Sequence, residues 1–351
     1  MATFEATYTR VIGVPPPAHL RGRPLAQYWN RPVSSLCALE EEWHGADEEN
    51  ERHRVYARLL MAIVYEYWNG YKYGRRGTYP QNDPPGPTDP MHLDREYYGH
   101  NIAALAVDER GHVLDFDFNH NEVLSSSAEH AEARLIRRLY SLSGIRDPWE
   151  AGDAAEPSPS AAIKRPYVTM RNATVYTSLE SCSQCAGIMA LAQVGRVVYL
   201  QTDPGTYWIG RLLRNLTTDN LRAPLPISGN RIDLHQFAEL DGEYEKFVDR
   251  KKPFWEPPKG KDPTKPDTST SVTSFLCTST ARSIFCGGGD QLQTLKLQHP
   301  EFRPFCEWPS STTPHACGRR CALSTAQVLE EAMHFLSYAK GKGRRGTTHN
   351  M

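Results

Sequence analysis

Ala128-Glu129-His130-Ala131-Glu132-Ala133, answered further on by Ser181-Cys182-Ser183-Gln184-Cys185-Ala186, is the pair of stretches that decides how this chain folds. Each half puts metal-binding side chains at the start of a segment with helical patterning. In the first, Ser127 reads as an N-cap, and Leu135, Ile136 and Leu139 form an apolar stripe among Arg134, Arg137 and Arg138. In the second, Cys182 and Cys185 lie three apart, on one face of a turn, ahead of the apolar run Ile188-Met189-Ala190-Leu191. One imidazole and two thiolates make three ligands for a tetrahedral Zn2+ with the fourth position open to water, whereas structural zinc sites are closed by four protein ligands. Glu132, two residues beyond the histidine, is then placed to act as the acid/base for that water. Either half alone is weak evidence. Histidine and glutamate are common on helices, and C-x-x-C also serves as a redox pair, half of a zinc ribbon or two buried thiols. Both halves together, each following a strand pattern and opening a helix, favour the metal.

The two halves resemble the zinc-dependent cytidine and deoxycytidylate deaminase superfamily, whose signature is H-x-E followed later by P-C-x-x-C. Here they read His130-Ala131-Glu132 and Ser181-Cys182-Ser183-Gln184-Cys185, so a serine stands where the family has a proline. Thr177-Ser178-Leu179-Glu180 before the cysteines and Ala186-Gly187-Ile188-Met189 after them carry the likeness further, and it extends over about residues 98 to 235. The resemblance implies a cytidine deaminase-like fold, a three-layer α/β/α sandwich around a mixed five-stranded sheet. It also implies Zn2+ on His130, Cys182 and Cys185, Glu132 as the proton carrier, and backbone groups around Ala131 and Ser181 lining the base pocket. Asn119 and Asn121 stand where cytidine deaminases carry an N-x-E pair that holds the ribose hydroxyl; Asn119 matches, and Asn121 replaces the glutamate with an amide. Read without the family, an asparagine after a strand is a turn former.

At 351 residues the chain is long enough for one elaborated domain or two small ones. Lys and Arg number 40 against 41 Asp and Glu, a formal charge of −1, so no global field draws in nucleic acid. Eight cysteines without a secretory signal argue for a reducing compartment rather than a disulfide framework. No stretch has the apolar length of a membrane span. The expectation is a cytoplasmic protein with no membrane association, nuclear residence being left open; self-association is compatible with all of this.

Residues 1–50, with Pro15-Pro16-Pro17 and an acidic run at Glu40-Glu41-Glu42, read as an irregular arm or a short helix against the core. From Glu51 to about residue 252 the pattern is that of the deaminase domain. Val55, Leu59, Ala62, Ile63 and Tyr67 recur at helical spacing and Gly70 and Gly74 stop the helix; Pro80–Pro87 is a loop. Ile102–Val107 and Val113–Phe118 read as a hairpin about Asp108-Glu109-Arg110-Gly111. Residues 143–166 form an insertion loop, 173–177 and 196–200 the third and fourth strands, and 227–234 a fifth. The helical segment 207–216 between the last two implies a crossover, hence a parallel pair. That arrangement resembles the deoxycytidylate, tRNA and polynucleotide branch, while the asparagines point to free nucleosides. Residues 235–248 read as a helix. Residues 253–351 read as a linker, beginning with the proline-rich 257–266, and a cysteine-containing extension that ends in a helix at 326–339 and a basic tail. Its Cys277, Cys286, Cys306, Cys317 and Cys321, with His315, fit no compact ligand spacing.

The expected activity is hydrolytic deamination of an amino-bearing nucleobase, cytosine in a nucleoside, nucleotide or free base, with ammonia released. Tyr207 and Trp208 follow the fourth strand, where polynucleotide deaminases read neighbouring bases; as aromatics they can stack on a base or pack as core. Two alternatives stay open: a polynucleotide deaminase, acting on DNA cytosine or tRNA adenosine, and a deaminase-fold scaffold that keeps zinc and binds a partner. An intact Glu132 speaks against the scaffold.

Overall fold

The computed structural model describes residues 42–68, 99–121, 124–141, 170–206, 208–217, 222–251, 271–304 and 322–342, with Ala18 and Cys37. The proline loop at 80–87, the insertion at 143–166, the linker at 257–266, Tyr207 and the group Cys306, His315, Cys317 and Cys321 lie outside the described residues.

Five strands form one sheet in the order β2-β1-β3-β4-β5. They are β1 (Ala103–Val107), β2 (Val113–Phe118), β3 (Thr174–Thr177), β4 (Arg196–Tyr199) and β5 (Leu225–Ser228). The hairpin β1–β2 is antiparallel, and β1 also pairs antiparallel with β3; from β3 outward the pairs are parallel. Parallel neighbours need a crossover. Helix α3 (Ser183–Leu191) supplies it between β3 and β4, and α4 (Ile209–Leu216) between β4 and β5. The expected parallel pair β4–β5 is therefore present, and β3–β4 is parallel as well. The fifth strand is shorter than the apolar pattern implied: it ends at Ser228, and Gly229–Ile232 turns as a 3-10 helix. Asp233 closes that turn with φ 55, a left-handed conformation that asparagine and aspartate tolerate and that cannot continue a strand.

Helix α2 (Ala131–Ser141) packs on β1, β2 and β3 with α3 beside it; α1 (Asp47–Glu66) packs on β1 and β3. All five residues of β1 are buried. The sheet is thus covered on both faces, which makes the three-layer α/β/α sandwich. Helix α1 starts at Asp47, earlier than the apolar spacing indicated, because three acidic residues in its first turn complement the helix dipole. Beyond α5 (His235–Lys251), the stretch 271–342 contributes α6 (Val272–Phe275), α7 (Ser279–Gln293) and α8 (Thr325–Lys342). Helices α7 and α8 pack along α1, and Phe275, Phe285 and Phe335 join the same apolar cluster as Val55 and Leu105. Buried Glu51 accepts from the backbone N–H groups of Gln298 and His299 at 2.7 and 2.8 Å, fastening the loop after α7 to α1.

Strand β2 shows how the site helix is fixed. Its sequence Val-Leu-Asp-Phe-Asp-Phe alternates, so Asp115 and Asp117 share one face and Phe116 and Phe118 the other. The phenylalanines pack towards α8 and α1, with Phe116 against Phe335 at 5.7 Å and Phe118 against Tyr67 at 5.6 Å. The aspartates face α2. Arg138, buried, donates to Asp115 and lies 3.3 Å from Asp117, while Arg134 Nε donates to Asp117 Oδ1 at 3.2 Å. Arg138, one of the arginines that flank the apolar stripe, is therefore a buried clamp between helix and sheet. Burial pushes the Asp115 carboxyl up to about 6 against the pull of Arg138, and raises Asp117 for the same reason.

Candidate active site

The residues singled out in the sequence converge where β3 ends and α2 and α3 begin. Cys182 is the N-cap residue of α3 and Cys185 stands in its first turn. His130 immediately precedes α2, and its carbonyl accepts from Arg134 N at 2.9 Å. It therefore occupies the capping position expected of Ser127. The segment Leu124–Glu129 is a chain of turns in which Ser126, not Ser127, uses its hydroxyl, accepting from Ala128 N at 3.2 Å. Those turns consume the residues through which the helix was expected to start, and so bring His130 to the end of the sheet.

His130 Nδ1 lies 3.3 Å from Cys182 Sγ and 3.5 Å from Cys185 Sγ. All three ligand atoms fall within 4.8 Å of one another, and they are the one group of this kind among the described residues. Tetrahedral zinc with its ordinary Zn–N and Zn–S bond lengths sets nitrogen and sulfur about 3.5 Å apart. The donor set and its spacing therefore fit Zn2+. The thiols are unequal: the hydrogen bond from Cys185 holds Cys182 down to about 4, and the same contact with burial pushes Cys185 up. Contact with Cys182 raises His130.

Glu132 is buried in the first turn of α2. Ser181 Oγ donates to its Oε1 at 2.9 Å, and Cys185 Sγ lies 3.3 Å from Oε2. The Thr177 hydroxyl sits 3.2 Å from Oε1 and 3.1 Å from the Leu179 carbonyl, one proton between two acceptors. Burial pushes the Glu132 carboxyl above its ordinary range, and Ser181 works against that shift. Serine in place of the family's proline thus gives the carboxylate a hydroxyl donor that proline lacks.

A cleft of about 120 Å³ opens on these groups. His130, Glu132 and Cys182 line it, as does Asn119, whose buried Nδ2 has no hydrogen-bond partner among the described residues. Asn119 Oδ1 accepts from Asn121 N at 3.1 Å. Gly99 lies so close that a Cβ there would stand 2.5 Å from the Asn119 carbonyl and 2.7 Å from Asn121 Oδ1, so only glycine fits against the asparagine pair. Asn121, Ala131, Ser181 and Trp208 are not among the residues that line the cleft. Ala131 is buried, and Trp208 is 50% exposed in a left-handed conformation at the N-cap of α4.

The cleft also contains residues that sequence reasoning did not assign to it: His100, Ile102, Leu179, Glu180, Asp203 and Thr273. Asp203 N donates to Glu180 Oε2 at 3.2 Å, and burial pushes Glu180 up to about 7 and raises Asp203. Leu179 and Glu180 adjoin the cysteines and were within reach of inspection. Thr273, on α6, had no signal in a Ser/Thr tract that reads as linker.

Residues 91–201 match the family described as the cytidine and deoxycytidylate deaminase zinc-binding region. Among solved structures, the chain is similar to one from a study of A-to-I editing by tRNA:A34 deaminases at the wobble position of transfer RNA, at 24% identity over 37% of this chain and 82% of that one, TM-score 0.26. It is similar to guanine deaminase from Bacillus subtilis at 19% identity, covering 32% of this chain and 57% of that one, TM-score 0.23. For guanine deaminase from Nitrosomonas europaea the values are 19%, 40% and 72%, with TM-score 0.25. Comparison with curated proteins gives no match.

Proposed function

We propose that this protein, which carries the cytidine and deoxycytidylate deaminase zinc-binding region over residues 91–201, is a zinc-dependent hydrolytic deaminase of an amino-bearing nucleobase, cytosine first among them. The observation that carries this reading is the buried carboxylate of Glu132 set against the triad of His130, Cys182 and Cys185 at one small cleft. Those three residues would hold Zn2+, which when bound supplies Lewis-acid activation of water near neutral pH.

The chain's own residues supply the proton handling and the fit. Glu132 takes the two protons of the attacking water one after the other at a carboxylate oxygen, passing the first to the ring nitrogen and the second to the departing ammonia; its raised affinity for protons suits a group that must both accept and donate. Ser181 holds Oε1 by donating to it, so the carboxylate meets the substrate in one orientation. The free amide N–H of Asn119 is a donor at the cleft, available to a carbonyl or hydroxyl of the substrate. At about 120 Å³ the cleft is well below the usual span of roughly 300–1,000 Å³ for a whole small-molecule ligand, so it suits a base, with sugar and phosphate outside it. Trp208 favours a second reading, a polynucleotide substrate, because a half-exposed indole offers a face for a flanking base.

The test is ammonia release by the purified protein from cytosine, cytidine, deoxycytidine, their monophosphates, adenosine, guanine and oligonucleotides, with Glu132→Ala beside each. Turnover of a cytosine compound, lost in the variant, is the expected result. Turnover of oligonucleotides alone would select the second reading. Silence on every substrate from protein that holds zinc would replace both with the scaffold.

A further inference from the structure

A second cavity, of about 810 Å³, opens at the other end of the sheet. Val107, Thr174 and Arg196 reach it from the ends of β1, β3 and β4 that lie away from the zinc ligands. Its charge is unlike that of the chain as a whole. Arg52, Arg171, Arg196, Arg214 and Arg222 line it against three carboxylates, Glu49, Asp108 and Glu109. Asp108 Oδ1 is occupied by the backbone N–H groups of Arg110, Gly111 and His112 at 2.8–2.9 Å, and Glu109 accepts from the Asn172 amide. Glu49 stands 3.7 Å from Arg196. Buried Arg52 donates to the Leu323 and Arg110 carbonyls at 2.7 and 3.0 Å, neither of which carries a charge to cancel its own.

We propose that this cavity binds a nucleoside polyphosphate. Guanidinium groups are planar forks that match phosphate oxygens, and among the described residues five arginines line this cavity against three carboxylates. The volume exceeds what phosphate alone requires and falls within the range of sites for whole small molecules. Phe302 and Pro304, both partly exposed, give the same cavity an apolar wall against which a base can lie. At the inner wall His53 is buried beside Tyr176, its Nδ1 2.6 Å from the phenol oxygen and its Nε2 without a partner among the described residues. The zinc cleft differs: among the described residues no arginine lines it, and its volume is about 120 Å³.

The measurement is calorimetric titration of the full chain with uridine triphosphate, inosine triphosphate and inorganic tripolyphosphate. Neither nucleotide carries an exocyclic amino group, so deamination cannot confuse the heat. Both nucleotides are expected to bind saturably, more tightly than tripolyphosphate and more weakly as salt rises. Arg171→Glu and Arg196→Glu, with the fold checked by circular dichroism, should each weaken binding about tenfold or more, whereas Glu132→Ala should leave it unchanged. If a reversal unfolds the protein, Arg171→Gln with Arg222→Gln is read in its place for the same loss. Absence of saturable binding at millimolar nucleotide, or affinity indifferent to every arginine variant, overturns the proposal. Tripolyphosphate binding as tightly as the nucleotides removes the nucleoside from it. A tenfold preference for a single-stranded oligonucleotide would reassign the cavity to a nucleic-acid backbone.

Discussion

The two ends of the sheet are built on opposite plans. At the zinc end, a handful of side chains from two helix starts meet within a few ångströms, and most polar atoms there have named partners. At the arginine end, the walls come from α1, the β1–β2 turn, the entries to β3 and β4, the exit of α4 and the loop before α8. The first is a compact site whose proposed chemistry rests on one carboxylate, Glu132, and three residues that could hold a metal ion. The second is a broad basin whose character is a sum over many residues. Loss of one group should therefore abolish the first and only weaken the second.

The largest expected effect is at the zinc end. Glu132→Ala should keep zinc and lower turnover by roughly 10²–10⁴-fold, whereas Cys182→Ala should lose the metal; metal content and ammonia release on the same preparations separate the two. Full activity in Glu132→Ala would end the comparison, since the compact site would then not be catalytic. Next comes the clamp behind it. Arg138→Met leaves Asp115 buried without its cation and Asp117 with Arg134 alone, and should cost about 3–5 kcal/mol in denaturant unfolding. Unchanged stability would mean that α2 is held by its apolar face alone.

The arginine end should show itself in acid. Burial, helped by Arg196 and Arg52, holds His53 down to about 3 from 6.5. A depressed histidine favours its neutral form in the fold, so its contribution is complete above pH 6.5 and is lost as pH falls towards 3, where the unfolded chain binds a proton that the native one refuses. Unfolding followed from pH 7 to 4 should fall more steeply for the native sequence than for His53→Gln, the gap widening at about 1.4 kcal/mol per pH unit at most. Parallel curves would show that His53 is not held neutral.

Two smaller effects sharpen the contrast. A Cβ on Gly289 would lie 3.0 Å from the Ala62 Cα, where α7 meets α1, the helix that carries Arg52 and His53. Gly289→Val should cost about 1–3 kcal/mol by overpacking and disturb the arginine end before the zinc end, as read by hydrogen exchange along α1. Ser181→Ala should keep zinc and lower kcat by about tenfold, because a single hydrogen bond to the Glu132 carboxylate is removed. A fall in zinc content instead would give Ser181 a part in metal binding.

The chain's own order of residues determined the zinc end. Cys182 and Cys185, three positions apart, need only a helix turn to face one way, so the two thiols and the His130-x-Glu132 pair were legible together with the strands that deliver them. The hairpin, the crossover before β5 and the parallel pairing followed from local patterning and short connections. Tertiary structure alone decided the rest. Alternating Asp115 and Asp117 look like a solvated strand face until Arg138 covers them, and Ser127 looks like a cap until the turns before His130 use up its place. Thr273 reaches the cleft from α6, far along the chain, and the cavity arginines are spread from Arg52 to Arg222. A net charge of −1 conceals such a cluster, because charge balance is a property of the whole sequence while electrostatic recognition depends on which charges the fold gathers in one place.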